Sequence, residues 1–114
     1  MVVEKFPNLF MMFGPNTNLG HNSIIVMSEA QANYIGQCIK EIKNQSWKSM
    51  EVKPAILQDY HKKTQERLKK MIWNVVDKSW YKSANGNIPN NYPGRTTEYK
   101  KVTKKVNFSD FNIG

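Results

Sequence analysis

The residues best suited to chemistry lie in a polar stretch between an apolar run and a helical pattern. This stretch runs from Gly14 to Asn22 and contains three Asn and two Gly. A loop that opens a helix presents free backbone N–H groups at the positive end of the helix dipole, where a phosphate or a carbonyl oxygen can bind. The spacing alone is weak evidence, because neither GxGxxG nor GxxxxGKS/T is present and an ordinary turn between strand and helix has the same composition.

Side chains that commonly perform catalysis or bind metals are sparse. His21 lies in the polar stretch, while His61 falls on a Lys-rich helical face and is predicted to be solvated. Cys38 is the single cysteine, which excludes an internal disulfide and a Cys-based metal site. We interpret it as a small core residue of a helix. The sequence therefore predicts no catalytic side chain and no metal ligand.

The elements that must position the polar stretch are predicted from hydrophobic spacing. Leu9–Phe13 is a continuous apolar run of the kind found in strands that are buried on both faces. A helix is then predicted from about Ser23 to Lys43, with Asn22 or Ser23 capping its first turn. Its predicted buried stripe has members three or four residues apart, namely Ile25, Ser28, Ala32, Ile35, Ile39 and Ile42.

The rest of the chain predicts a second helix and a short, irregular tail. After a break at Asn44–Ser46, the helix begins at Pro54 and ends near Trp73. Its predicted apolar contacts are Ile56, Tyr60, Leu68 and Met71 or Ile72. A turn at Ala84–Asn87 predicts a hairpin, and Thr96–Val106 mixes β-forming residues with Lys. The predicted fold class is α/β: strand–loop–helix, second helix, then a short β-hairpin or irregular tail.

Several motifs, in one order, resemble the C-terminal segment of Baeyer–Villiger and related flavin-containing monooxygenases. They are FPNLF at 6–10, GPN at 14–16, HNS at 21–23, SWYK at 79–82, NGNI at 85–88, and YPG at 92–94 leading to Tyr99. The resemblance covers most of the chain and implies an oxidoreductase, a flavoprotein that uses FAD and NADPH. It implies a fold with two dinucleotide-binding domains, of which residues 1–46 are the flavin-facing strand–loop–helix and residues 47–114 are a basic helix and hairpin tail.

The resemblance also implies roles for individual residues. The positions that match the flavin-facing loop, here named the cofactor strip, are Gly14, Pro15, Asn16, Thr17 and Asn18. Those that border the substrate pocket are Leu19, Gly20, His21, Asn22, Ser23 and Ile24. His21 is either a wall or hydrogen-bond donor of that pocket, or a loop residue that caps the helix or faces solvent. Trp80 matches a position at the rim of the active site, and a packing anchor is the alternative interpretation.

Two Gly-rich motifs that the family needs, one for FAD and one for NADPH, are not found in these 114 residues. We therefore expect a fragment that is inactive in isolation and binds neither cofactor tightly. Its expected partners are the missing FAD and NADPH domains or a second copy of itself.

The charge distribution leaves two alternatives open. All of the net charge of +8 lies from Trp47 onward, where 14 basic residues face 6 acidic ones. Because 15 of the 17 basic residues are Lys, a solvated basic surface is favoured over a nucleic-acid site. The alternatives are a free-standing basic nucleic-acid-binding protein and an interaction module that completes a split enzyme. No apolar run approaches the roughly 20 residues of a membrane span, and a cytoplasmic location is expected.

Overall fold

Three helices and two short strands form the parts of the chain that the computed structural model describes, which are residues 1–14, 24–70 and 94–114. In chain order they are α1 (Ile24–Asn44), β1 (Met50–Val52), α2 (Pro54–Lys69), α3 (Thr96–Thr103) and β2 (Phe111–Ile113), with a 3-10 turn at Phe108–Asp110. This arrangement confirms the α/β class. The hairpin predicted at Ala84–Asn87 lies outside the described residues.

The two strands join the middle of the chain to its last residues. They pair antiparallel, with Met50 opposite Ile113 and Val52 opposite Phe111. The main buried cluster lies where this sheet meets α1, and its members are Cys38, Met50, Val52, Val106 and Phe111. A smaller cluster of Met27, Ala30 and Tyr99 lies between α1 and α3. The sheet and α3 together thus fix the position of α1.

The end of α1 confirms the break predicted at Asn44–Ser46. Ser46 adopts the left-handed conformation with φ 54°. Its N–H donates to the Lys43 carbonyl at 3.3 Å, and the Trp47 N–H donates to the Ile42 carbonyl at 3.0 Å. This pair of bonds is the Schellman motif, which satisfies carbonyls that the last helical turn leaves open.

The predicted buried stripe of α1 was right for Ile42, which packs against the main buried cluster, and wrong for its exposed members. The residues that α1 buries are Met27, Ala30, Gln31 and Cys38. Ile25 and Ile39 of the predicted stripe are 70% and 56% exposed, and Ala32 is exposed as well. Because α1 carries apolar residues on two faces, periodicity alone does not say which face the sheet and α3 cover.

Leu9–Phe13 does not form the predicted buried strand. It is a series of turns in which Phe10 makes an isolated antiparallel bridge with Val2. Asn8 and Phe13 have positive φ angles of 63° and 51°, which interrupt an extended path. A strand needs neighbours to receive its backbone hydrogen bonds, and β1 and β2 pair with each other instead.

The tail prediction was also wrong, because Thr96–Thr103 is helical. Tyr99 and Thr103, one turn apart, are the buried residues of α3. The prediction for α2 was correct at its start, where Pro54 occupies the first turn. Of the predicted α2 contacts within the described residues, Leu68 is fully buried, whereas Ile56 and Tyr60 are exposed. The predicted end near Trp73 lies outside the described residues.

Candidate functional site

Most of the predicted site lies outside the described residues. Residues 15–23 and Trp80 belong to that part, so their predicted roles remain predictions. Gly14 and Ile24 are described and mark the two ends of the predicted flavin-facing loop. The structure therefore shows how the loop is attached at each end.

At its first end the loop follows a segment that is tied down twice. This lead-in segment, Asn8–Phe13, begins with an Asn side chain that is bonded to the chain around β1. The Asn8 Nδ2 donates to the Lys48 carbonyl at 3.0 Å, and the Asn8 Oδ1 accepts the Met50 N–H at 2.9 Å. The backbone N–H of Asn8 adds a bond of 3.0 Å to the Met50 carbonyl. The Asn of the FPNLF motif thus docks the lead-in segment onto the chain around β1.

The lead-in segment ends in a second attachment, at Phe13. The Phe13 N–H donates to Oε1 of Gln31 at 2.8 Å. Phe13 has φ 51°, a left-handed conformation that costs a non-glycine residue about 1–2 kcal/mol. A hydrogen bond to a buried side chain at this residue offsets part of that cost.

Gln31 continues this connection into α3. It is fully buried, and its Nε2 donates to the Tyr99 hydroxyl at 3.1 Å. Burial raises the pKa of Tyr99 to about 12, so the hydroxyl stays neutral at physiological pH. The network thus joins the lead-in segment to α1 and α3 through the buried side chains of Gln31 and Tyr99.

At its second end the loop meets the first turn of α1. This turn begins at Ile24 and contains no acidic side chain. The positive dipole end of this 21-residue helix is therefore not offset by an acidic side chain of its own first turn. An electron-rich group is favoured at this place, as the resemblance implies for the pyrimidine edge of a flavin.

Sequence reasoning did not single out Gln31 and Tyr99. Gln31 was not a member of the predicted buried stripe, and a lone Gln in an amphipathic helix carries no signal. Tyr99 entered only as the end of the motif series. A polar residue between apolar positions 27, 30 and 34 was the available clue, because such a position is buried only when its amide finds partners.

The other candidate side chains have no visible chemical role. Burial raises the pKa of the Cys38 thiol to about 11, so it is a poor nucleophile, as the packing interpretation predicted. His61 is exposed on α2. Within the described residues no cluster of His, Cys, Asp or Glu has metal-binding geometry, and no helix is long and apolar enough to cross a membrane.

Comparison with known proteins identifies relatives that match nearly the whole chain. No family model matches. The FAD-binding monooxygenase ktnD of Aspergillus niger is 37% identical over 97% of this chain and 19% of its own length. Baeyer–Villiger monooxygenases of Pseudomonas aeruginosa and Streptomyces coelicolor are 36% and 32% identical, each over 95% of this chain and 21% of their own length. The chain thus spans about one fifth of these curated relatives.

A solved structure has the same fold over the same extent. An oxidised steroid monooxygenase bound to NADP superposes with a TM-score of 0.85 over 98% of this chain and 22% of that protein, at 22% sequence identity. At this identity the likeness concerns the fold. It shows that the described helices and strands are arranged as they are in a segment of that much longer protein.

Proposed function

Since this chain matches a segment of the FAD-binding and Baeyer–Villiger monooxygenases over nearly its whole length, we propose that it is the flavin-facing C-terminal segment of such an enzyme. The whole enzyme uses FAD and NADPH to insert one oxygen atom of O2 into a ketone, or to oxygenate a soft heteroatom, while the other oxygen atom leaves as water. FAD supplies the oxygen chemistry, and the chain's part is to bind and orient it.

The cofactor strip, Gly14–Asn18, is the part of this chain that faces the flavin. The observation that carries this assignment is the match with an FAD-binding monooxygenase and two Baeyer–Villiger monooxygenases over 95% or more of the chain. The arrangement of the described residues supports it, since the lead-in segment is docked by Asn8 and the first turn of α1 carries no acidic side chain at the positive end of the helix dipole. Residues 19–24, including His21, border the substrate pocket, and Trp80 lies at its rim.

The surfaces that the chain leaves uncovered are the places where the FAD and NADPH domains dock. Leu9, Met12 and Phe13 are each 44–50% exposed, and Ile39 is 56% exposed. Several large apolar side chains exposed near one another usually mark a surface that binds another protein or domain. The relatives carry about four fifths of their length outside the matched segment, which is ample to cover them.

A hybrid protein tests this function. The matched segment of the Pseudomonas aeruginosa relative is replaced by residues 1–114 of this chain, and the flavin-to-protein ratio is measured after desalting. The hybrid should stay yellow, because this chain completes the flavin site. The same relative without its matched segment is the control and should lose FAD. A hybrid that retains no more FAD than this control would contradict the proposal.

The isolated chain provides the complementary measurement. It should be colourless and should oxidise no NADPH when FAD and a ketone are added, because one strip of contacts does not orient a cofactor that nothing else holds. Fluorescence titration with FAD measures this directly. Binding with a sub-micromolar Kd would show that the chain is a flavin-binding unit in its own right.

A further inference from the structure

Gln31 and Tyr99 connect three separate parts of the chain at the residue where the cofactor strip begins. Phe13 precedes Gly14, Gln31 lies on α1, and Tyr99 lies on α3. We propose that Gln31 and Tyr99 are positioning residues, which hold the Phe13–Gly14 junction in the orientation from which the cofactor strip meets FAD. This inference rests on the proposed function and names the side chains on which the geometry of that site depends.

The conformation of Phe13 requires such a restraint. Its φ of 51° lies in the left-handed region, which a bulky residue rarely occupies without support. Packing supplies little of this support, because the side chain is 48% exposed. The 2.8 Å bond from the Phe13 N–H to Gln31 is a direct restraint on the backbone at this residue.

The chemistry of the amide explains why Gln occupies position 31. Its oxygen accepts from a backbone N–H, so its nitrogen must point to a group that can accept, and the neutral Tyr99 hydroxyl does so at 3.1 Å. Gln31 and Tyr99 are 0% and 3% exposed, next to Met27 and Ala30. Water therefore does not compete for the bond between Gln31 and Tyr99, and the amide has one favourable orientation because the Phe13 N–H can only donate.

The position of Gln31 couples the two ends of the predicted loop. One end continues covalently into α1 at Ile24, and the other is bonded through Phe13 to Gln31, seven residues further along the same helix. The predicted loop, residues 14–24, is therefore attached to α1 at both of its ends. Because Tyr99 holds the Gln31 side chain, the Phe13–Gly14 junction and the first turn of α1 keep a constant relative position, which a preorganised flavin site needs.

Hydrogen exchange at the Phe13 amide tests the restraint in the full 114-residue chain. Gln31→Met keeps the volume and removes both bonds, and we expect the protection of this amide to fall about tenfold. Gln37→Met is the matched control. Gln37 lies on the same helix but bonds to Lys104 and Val106, so its loss should leave Phe13 protection unchanged. Equal protection in the wild type and Gln31→Met would overturn the inference.

Tyr99→Phe provides a second variant in case Gln31→Met does not fold. It keeps the ring and the Phe13 bond but removes the acceptor that orients the amide. We expect an intermediate loss of Phe13 protection, about threefold, with the circular dichroism spectrum of the wild type. A folded Tyr99→Phe chain with full Phe13 protection would show that Tyr99 does not position Gln31.

The role toward FAD is tested in the hybrid enzyme described above, by titrating the apoprotein with FAD. Gln31→Met should raise the Kd for FAD about tenfold, whereas Gln37→Met should leave it within about twofold. A hybrid whose FAD affinity is unchanged by Gln31→Met would overturn the positioning role alone. A wild-type hybrid that binds no FAD would instead overturn the proposed function, while the exchange experiment still decides the restraint on Phe13.

Discussion

At the scale of single residues, the ion pair between α2 and α3 illustrates how little an exposed interaction contributes. Arg67 donates to both carboxylate oxygens of Glu98, at 2.6 and 3.1 Å. The two side chains are 48% and 40% exposed. This bidentate geometry is favourable, but water and salt screen the attraction. The pair therefore fixes the relative direction of two helices more than it stabilises them.

Replacing Glu98 with Gln tests this estimate. The hydrogen bond from Arg67 lowers the pKa of Glu98 below its usual 4.5. The ion pair therefore adds to the free energy of unfolding above the unfolded-state pKa of Glu98, and this stabilisation is lost as the pH falls through the folded-state pKa. Glu98→Gln should lower the free energy of unfolding by at most about 1 kcal/mol at pH 7. Urea titrations at neutral and acid pH measure the difference.

The acid measurement is the decisive part of that experiment. Below the folded pKa the wild type and Glu98→Gln should be equally stable, because the carboxyl is then neutral. Asp59→Asn, which removes the more exposed pair with Lys63, should have a smaller effect than Glu98→Gln at neutral pH. If Glu98→Gln lowers the free energy of unfolding by the same amount in acid as at neutral pH, the Glu98 side chain acts through packing instead of through its charge.

At the scale of elements, the end of α1 carries strain that its sequence does not relieve. The Schellman motif requires a left-handed residue, and Ser46 occupies this position with φ 54°. Glycine is the usual residue there because it has no Cβ to clash with the following carbonyl. The motif forms regardless, since its two hydrogen bonds and the turn toward β1 outweigh the cost.

Ser46→Gly should therefore stabilise the chain. We expect an increase of about 1 kcal/mol in the free energy of unfolding, which is the left-handed strain minus the extra entropy of Gly in the unfolded state. Thermal unfolding by circular dichroism gives the change in Tm. Ser49→Gly, three residues away, is the comparison and should not stabilise. A Tm that falls with Ser46→Gly would show that the side chain contributes a bond that outweighs the strain.

At the scale of the whole molecule, the chain leaves apolar surface uncovered on two elements. Met12 on the lead-in segment is 50% exposed and Ile39 on α1 is 56% exposed. In the proposed enzyme the cofactor-binding domains cover both. When the chain is alone, a second copy is the simplest way to remove this surface from water.

We therefore expect self-association at tens of micromolar and moderate salt, measured by light scattering coupled to size exclusion. Met12→Lys and Ile39→Lys should shift the chain toward monomer, because each places a charge on the apolar surface. Gln58→Lys adds the same charge on an exposed position of α2 and should leave the association unchanged. A monodisperse wild-type monomer would mean that these surfaces need no partner.

The sequence by itself determined the features that depend on local rules. The α1 break at Asn44–Ser46 and the Pro54 start of α2 follow from propensity and proline geometry, and the motif order from FPNLF to Tyr99 identified the monooxygenase resemblance. The comparisons confirmed that resemblance. The roles of residues 15–23 and Trp80 remain predictions.

Only the tertiary structure decided which surfaces meet. The sheet and α3 bury the Met27–Cys38 face of α1 and leave Ile25 and Ile39 of the predicted stripe exposed. The strand β1 pairs with β2, whereas Leu9–Phe13 forms turns. Tertiary packing also brought Gln31 to Phe13 and Tyr99, which lie far apart in the chain. Hydrophobic periodicity indicates how apolar a helix face is. Whether that face is buried depends on which other element packs against it, and contacts between residues distant in sequence determine that element.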